Sequence, residues 1–249
     1  MRTLLALVTV LALTPVLGTA VVLFAFVGVP QREDSIYERF AHWWVSAIVW
    51  AAGVELVVHG DRHFRSARHV FVSNHLSWLD VPILASLLAH FRFVAKAEIA
   101  RWPFFGSVFR AVGTVYIERK NQKAAFESYR AAAARIQRGA SVVVFPEGTR
   151  GTSYALRPFK KGPFVLAISA QAPIVPTVVH GTMQALPKGG GWITGGRVHV
   201  HFLDPVLTEG LTYDNRDALA KTVHERMAAL LAERYGVESP RWDPRPGAG

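Results

Sequence analysis

The sequence predicts an α/β domain, a mostly parallel sheet flanked by helices, behind an N-terminal pair of membrane-associated helices. Three observations predict it. From Thr3 to Gln31 the chain carries no charge and is rich in Leu, Val, Ala and Phe. After Gly53 short β-branched runs alternate with longer amphipathic ones, the pattern of strands joined by crossover helices. The run SVVVF, residues 141–145, has no polar alternation, as a strand covered on both faces requires.

The first apolar run exceeds the roughly 20 residues that span a bilayer. Leu17-Gly18-Thr19-Ala20 looks like a signal cleavage site, but the apolar VVLFAFVGV follows it, which favours an anchor over a cleaved leader. A second apolar segment, Ala41 to Val54, holds Trp43, Trp44 and Trp50, behind the charged Arg32, Glu33, Asp34, Glu38 and Arg39. Tryptophan favours the membrane interface. A full span by the first segment and a two-helix hairpin dipping into one leaflet both fit.

The expected strands are Glu55–His59, His69–Ser73, Phe91–Ala95, Thr114–Ile117, Ser141–Phe145, Ile174–Val179 and Arg197–Leu203. The expected helices are Leu79–His90, Asn121–Arg138, Gly162–Ala170 and Asn215–Tyr235. The last two strands are expected to pair antiparallel across the glycine-rich GGGWITGG. Residues 1–53 thus read as an anchor, 54–237 as one domain, and 238–249, rich in Pro and Gly, as a mobile tail.

Composition excludes several chemistries. Hydrophobic residues make up 51% of the 249, which rules out disorder for most of the chain. There is no cysteine, hence no disulfide, thiolate metal site or cysteine nucleophile. The sequence lacks the G-x-S-x-G elbow, the G-x-x-x-x-G-K-[ST] loop and H-E-x-x-H. His199 and His201 lie two apart, on one face of a strand, while Asp204 is at odd spacing from both. They read as sheet residues and not as metal ligands. A net charge of +10 suits phosphate-bearing partners without choosing among them.

Ligands of open α/β sheets sit at the carboxyl ends of strands. Polar groups follow those ends in NHLSWLD, ERK, PEGTR and HGT. In SNHLSWLD, residues 73–80, Ser77 and Asp80 have capping-box spacing, with Ser77 at the N-cap and Asp80 at N3. The same spacing lets Asp80 accept an imidazole N–H from His75 and leave the other ring nitrogen free to take a proton. In FPEGTR, residues 145–150, Gly148 permits a tight turn, Thr149 offers a hydroxyl and Arg150 a fork of donors for an anion. A surface turn with Glu147 paired to Arg150 is the plainer reading. GTVYIER ends a strand at Arg119, and FKKGPF puts Lys160 and Lys161 before a helix N-terminus, which favours anions. Solvated charge pairs and a solvated loop are the plainer readings there.

Together, in this order, NHLSWLD, GTVYIER, FPEGTR and APIVP resemble the four blocks of the glycerolipid acyltransferase family, over roughly residues 54–205. The resemblance implies a glycerol-3-phosphate acyltransferase-like fold. It also implies direct acyl transfer from acyl-CoA or acyl carrier protein to a lysophospholipid hydroxyl at a membrane, with no nucleic acid, metal or prosthetic group. His75 is then the general base and Asp80 its orienting carboxylate. Glu147, Gly148, Thr149 and Arg150 hold the acceptor, Arg119 assists at its phosphate, Lys160 and Lys161 add positive charge, and Pro173 and Pro176 shape the acyl side. Because CoA is cytosolic, the domain is expected on the cytoplasmic face. Glu118 stands where the family often has Asp, and Gly151 where Ser is common. An alcohol needs a base before it attacks a thioester, and an imidazole, ordinarily of pKa about 6.5, suits that task.

Overall fold

A computed structural model describes residues 1–30, 35–60, 68–88, 90–92, 94–118 and 122–243. In chain order the elements are α1 (Arg2–Phe26), α2 (Ile36–Ala51), β1 (Val54–His59), β2 (Val70–Ser73), α3 (Asp80–Leu87), β3 (Phe91–Arg92), β4 (Val94–Lys96), α4 (Phe105–Ala111), β5 (Val115–Ile117), α5 (Gln122–Gln137), β6 (Ser141–Val144), α6 (Gly162–Ala170), β7 (Ile174–His180), α7 (Thr182–Ala185), β8 (Gly196–Phe202) and α8 (Arg216–Tyr235).

Six strands form one sheet in the order β1-β8-β7-β2-β6-β3, and β4 pairs with β5 in a second. Neighbours in the large sheet are parallel except β7 and β8, which pair antiparallel as expected. One face packs Val70, Val72, Val142, Val144 and Ile174 against α5, α6 and α8. The other packs Phe71, Val143, Val175, Val198 and Val200 against α2 and α3. The central strands are apolar on alternate residues toward both layers, which explains why SVVVF shows no polar period. β1 and β8 differ. Their residues Glu55, His59, Arg197 and His199 are exposed or half-buried, while Val198 and Val200 are buried. One face of that edge is therefore open to solvent.

α1 has 25 residues, a mean hydropathy of 2.3 over its most apolar window and little buried surface, so it is long and apolar enough to cross a membrane. It packs on α2, where Trp44 Nε1 donates to Thr14 Oγ1 at 2.9 Å. Val21, Tyr37 and Ala111 tie α1, α2 and α4 into a small third core. Leu11, Leu23, Trp43, Trp50, Trp102 and Phe105 remain exposed around these helices.

Three expectations are corrected. Phe91–Ala95 is not one strand, because β3 pairs with β6 and β4 with β5 in different sheets. α4 and α7 were not expected; both are short, and α4 opens directly after Pro103 and Phe104. The helix after NHLSWLD starts at Asp80, so Ser77 is not its N-cap. Its hydroxyl instead accepts the Leu79 N–H at 3.2 Å and donates to the Leu186 carbonyl at 2.7 Å. The described part of the tail contacts the domain. Ser239 Oγ accepts the Leu156 N–H at 3.0 Å, and Trp242 packs on Phe159 and His224.

Candidate active site

β2 and β6 are parallel neighbours, so the turns that follow them, SNHLSWLD and FPEGTR, meet at one end of the sheet. Asn74 fixes the first turn. Its side-chain amide donates to the Val179 carbonyl at 2.9 Å and accepts the Val179 N–H at 2.8 Å, extending the β2–β7 ladder past Ser73. The next residue, His75, then leaves the sheet.

His75 Nδ1 lies 2.8 Å from Asp80 Oδ2, and the same oxygen accepts the backbone N–H groups of Leu76 (2.7 Å) and Ser77 (2.8 Å). An oxygen that already accepts two N–H groups carries no proton, so Nδ1 is the imidazole donor, and in the neutral ring the lone pair stands on Nε2. Asp80 is 1% exposed and the His75 side chain 14%. The imidazole stacks on Phe145, with ring centroids 4.0 Å apart and planes at 20°. A buried carboxylate and an aromatic face thus lock the ring in two directions.

The second turn is bonded to the first. Glu147 Oε1 accepts the His75 backbone N–H at 3.2 Å, Oε2 accepts Arg157 Nε at 2.8 Å, and the His75 carbonyl accepts the Gly151 N–H at 2.7 Å. Burial pushes the Glu147 carboxyl up from the usual carboxylate range, and the Arg157 guanidinium opposes that shift. Arg157 also donates to the Thr149 carbonyl. Gly148 sits at φ +78°, a left-handed backbone conformation that favours glycine, and the Lys160 side chain lies against it, with Cε 2.7 Å from where a Cβ would stand.

A cavity of about 390 Å³ opens beside His75, within the usual range for small-molecule sites. Val94, Ile117, Val143, Phe145 and Leu166 give it apolar walls, and Glu118, Gly148, Lys160 and the start of α6 at Gly162 line its polar part. The expected site residues therefore divide. His75, Gly148 and Lys160 meet at the cavity, with Asp80 directly behind His75. Glu147 is buried, with both carboxylate oxygens engaged. Thr149 is exposed. Arg150 lies over the Trp78 ring at 4.5 Å and is not part of the cavity wall. Lys161 turns away to Asp217, 2.9 Å from Oδ1. Arg119 falls outside the described residues. Sequence reading missed Asn74, Phe145 and Arg157, the residues that hold this turn. Asn74 and Phe145 stood in motifs already singled out, NHLSWLD and FPEGTR, whereas Arg157 did not.

A base with a free lone pair, a fixed tautomer and an apolar cavity beside it can deprotonate a hydroxyl held next to an acyl group. Comparison with known proteins points the same way. The family model described as Acyltransferase matches residues 55–180. A 1-acyl-sn-glycerol-3-phosphate acyltransferase of Limnanthes douglasii is 30% identical over 198 residues, 79% of this chain and 70% of the relative. The alpha form of that enzyme from Ovis aries is 35% identical over 189 residues, 75% of this chain and 66% of the relative. A lyso-ornithine lipid O-acyltransferase of Pseudomonas aeruginosa is 26% identical over 219 residues, covering 82% of this chain and 81% of the relative. The crystal structure of the lysophosphatidic acid acyltransferase PlsC from Thermotoga maritima shares the fold, with a TM-score of 0.68 at 23% identity, over 93% of this chain and 98% of the other. The chain belongs to the acyltransferase family that includes the 1-acyl-sn-glycerol-3-phosphate acyltransferases, and it is an acyltransferase of that type.

Proposed function

We propose that this enzyme acylates lysophosphatidic acid to phosphatidic acid, taking the acyl group from a thioester of CoA or acyl carrier protein. One observation carries the reading: the His75 ring, tied through Nδ1 to Asp80 at 2.8 Å, lines the apolar cavity. His75 Nε2 takes the proton of the acceptor hydroxyl as its oxygen attacks the thioester carbonyl. The tetrahedral intermediate collapses with cleavage of the C–S bond, and the thiolate receives the proton from the imidazolium. Asp80 keeps Nδ1 protonated and stabilises the cation formed in between. No covalent enzyme intermediate is needed, because a thiolate leaves readily.

Glu147 acts as a positioning residue, joining the His75 backbone to Arg157. Lys160 and the N-terminus of α6 hold phosphate within the cavity, and Arg150 meets the acceptor's phosphate from the Trp78 side. The apolar walls take the acyl chain. The exposed apolar surface of α1, α2 and the α4 region embeds in a bilayer on its cytoplasmic side, where lysolipid resides. The basic charge of the chain supports an anionic acceptor.

The test is an acceptor panel with one acyl-CoA in detergent, following thiol release and identifying product by mass. Lysophosphatidic acid is expected to give phosphatidic acid at the highest efficiency. Arg150→Ala is expected to lower its use about ten- to a hundred-fold, the worth of a hydrogen bond to a charged group, with acceptor-free hydrolysis changed much less. A preference for lyso-ornithine lipid favours the second reading, which the similarity to the Pseudomonas aeruginosa enzyme supports. No thiol release with any acceptor removes both.

A further inference from the structure

The solvent-open face of the β1–β8 edge carries a second group of histidines. His199 and His201 alternate along β8 and so share a face, and His59 of β1 stands opposite His201 in the parallel register. One imidazole nitrogen from each of the three lies within 4.8 Å of the others. His59 Nε2 and His199 Nδ1 are 3.0 Å apart, a spacing at which two neutral rings share one proton. The His59 and His201 rings lie parallel with centroids 4.2 Å apart. The Tyr235 hydroxyl of α8 is 2.6 Å from His201 Nε2, which fixes the direction of that ring. Among the described residues the group holds three nitrogen donors from two strands and no carboxylate. Nothing in the acyl-transfer chemistry uses it.

We propose that His59, His199 and His201 form a site for a divalent transition cation of the zinc type, which clamps the edge strand β1 to β8. Zn–N bonds of about 2.0–2.1 Å set tetrahedral ligand nitrogens about 3.3 Å apart. The His59–His199 pair is already near that distance, and His201 closes the triad when its ring turns out of its stack on His59. The cation takes the place of the proton shared between His59 and His199. Neutral imidazoles select zinc, copper or nickel, whereas calcium and magnesium require oxygen ligands. A fourth position remains open to solvent on the exposed His59 side. β1 pairs with β8 alone, so a cross-link between them secures an otherwise one-sided strand. Tyr235 supplies the outer hydrogen bond that orients a metal-bound histidine.

The test uses full-length, tag-free protein in detergent, stripped with chelator and titrated with Zn²⁺, and with Co²⁺ as a spectroscopic probe. One equivalent is expected to bind, with the visible absorption of tetrahedral Co²⁺. At free Zn²⁺ about a hundred-fold above Kd, the Tm is expected to rise about 5–10 °C. His59→Ala, at an exposed position, and His199→Ala are each expected to weaken binding about a hundred-fold or more and abolish the Tm rise. Thiol release with acceptor is expected to stay unchanged in both. Absence of stoichiometric binding below about 100 μM Zn²⁺, or binding retained in both variants, overturns the proposal.

Discussion

Two groups of histidines stand on this fold, and their partners differ. His75 sits in a turn past β2, with a buried carboxylate on one ring nitrogen and Phe145 against its face. His59, His199 and His201 stand on strand faces, and their nearest ring partners are one another and Tyr235. A carboxylate partner makes one imidazole nitrogen a donor and leaves the other a directed base. Imidazole partners repel a second proton and instead bring several ring nitrogens close together. Burial first, and then His59 and His199, hold His201 down to about 4. The same side chain is thus suited to proton transfer in one place and to a cation in the other. The environment, not the residue type, decides which.

The largest test of this division removes one histidine from each group. His75→Ala is expected to lower turnover by about 10²–10⁴-fold, the usual worth of a general base. His59→Ala is expected to leave turnover unchanged. Steady-state thiol release with lysophosphatidic acid measures both. Comparable losses in the two variants would mean that the groups are not functionally separate.

How much of this was legible depends on sequence distance. The His75–Asp80 contact spans five residues and one turn, so its spacing was readable, as were α5, α6 and α8 from their apolar periods. The meeting of NHLSWLD with FPEGTR was readable from the rule that polar turns gather at parallel strand ends. The Glu147–Arg157 pair was not, because Glu147 seemed equally able to pair with Arg150 until the fold placed that guanidinium over Trp78. The histidine triad was hidden for a stronger reason. His199 and His201 are visible as a pair, but their third member lies 140 residues away from His199, and only the β1–β8 register brings it in. Lys161 read as a cation for the site, yet Asp217 of α8 claims it, a long-range contact that no local pattern signals.

A smaller effect separates the carboxylate's two tasks. In Asp80→Asn the side-chain oxygen can still accept the Leu76 and Ser77 N–H groups and the His75 Nδ1–H. What disappears is the negative charge that stabilises an imidazolium. Asp80 Oδ1 has no hydrogen-bond partner among the described residues, so the new amide nitrogen breaks no existing bond. A fall in turnover of about ten- to a hundred-fold is expected, with a small change in Tm. If turnover holds while Tm collapses, Asp80 only braces the turn. If both are unchanged, the contrast between a carboxylate-paired and an imidazole-paired histidine has no catalytic meaning.

The smallest expected effect lies in the second group and reads stability against pH. His201 is buried against Tyr235, with His59, His180, His199 and Arg234 around it, and its pKa is held at about 4 instead of the ordinary 6.5. Because the folded value is depressed, the unfolded chain takes up the proton first as pH falls. The His201 contribution is therefore intact above pH 6.5 and is lost between 6.5 and 4. One pH unit into that window the loss is ~1 kcal/mol, or ~2–4 °C in Tm for a chain of this size. His201→Asn keeps a polar group near the Tyr235 hydroxyl but does not titrate. Thermal unfolding at pH 7.5 and 5.5, with chelator present, is expected to show a drop smaller in the variant by about that amount. Acid sensitivity from other buried histidines, such as His224, whose proton affinity burial also lowers, is common to both proteins and cancels in the comparison. An identical drop in wild type and variant would mean that His201 takes up its proton in the folded protein as readily as in the unfolded chain, and the contrast with His75 would then lose its electrostatic basis.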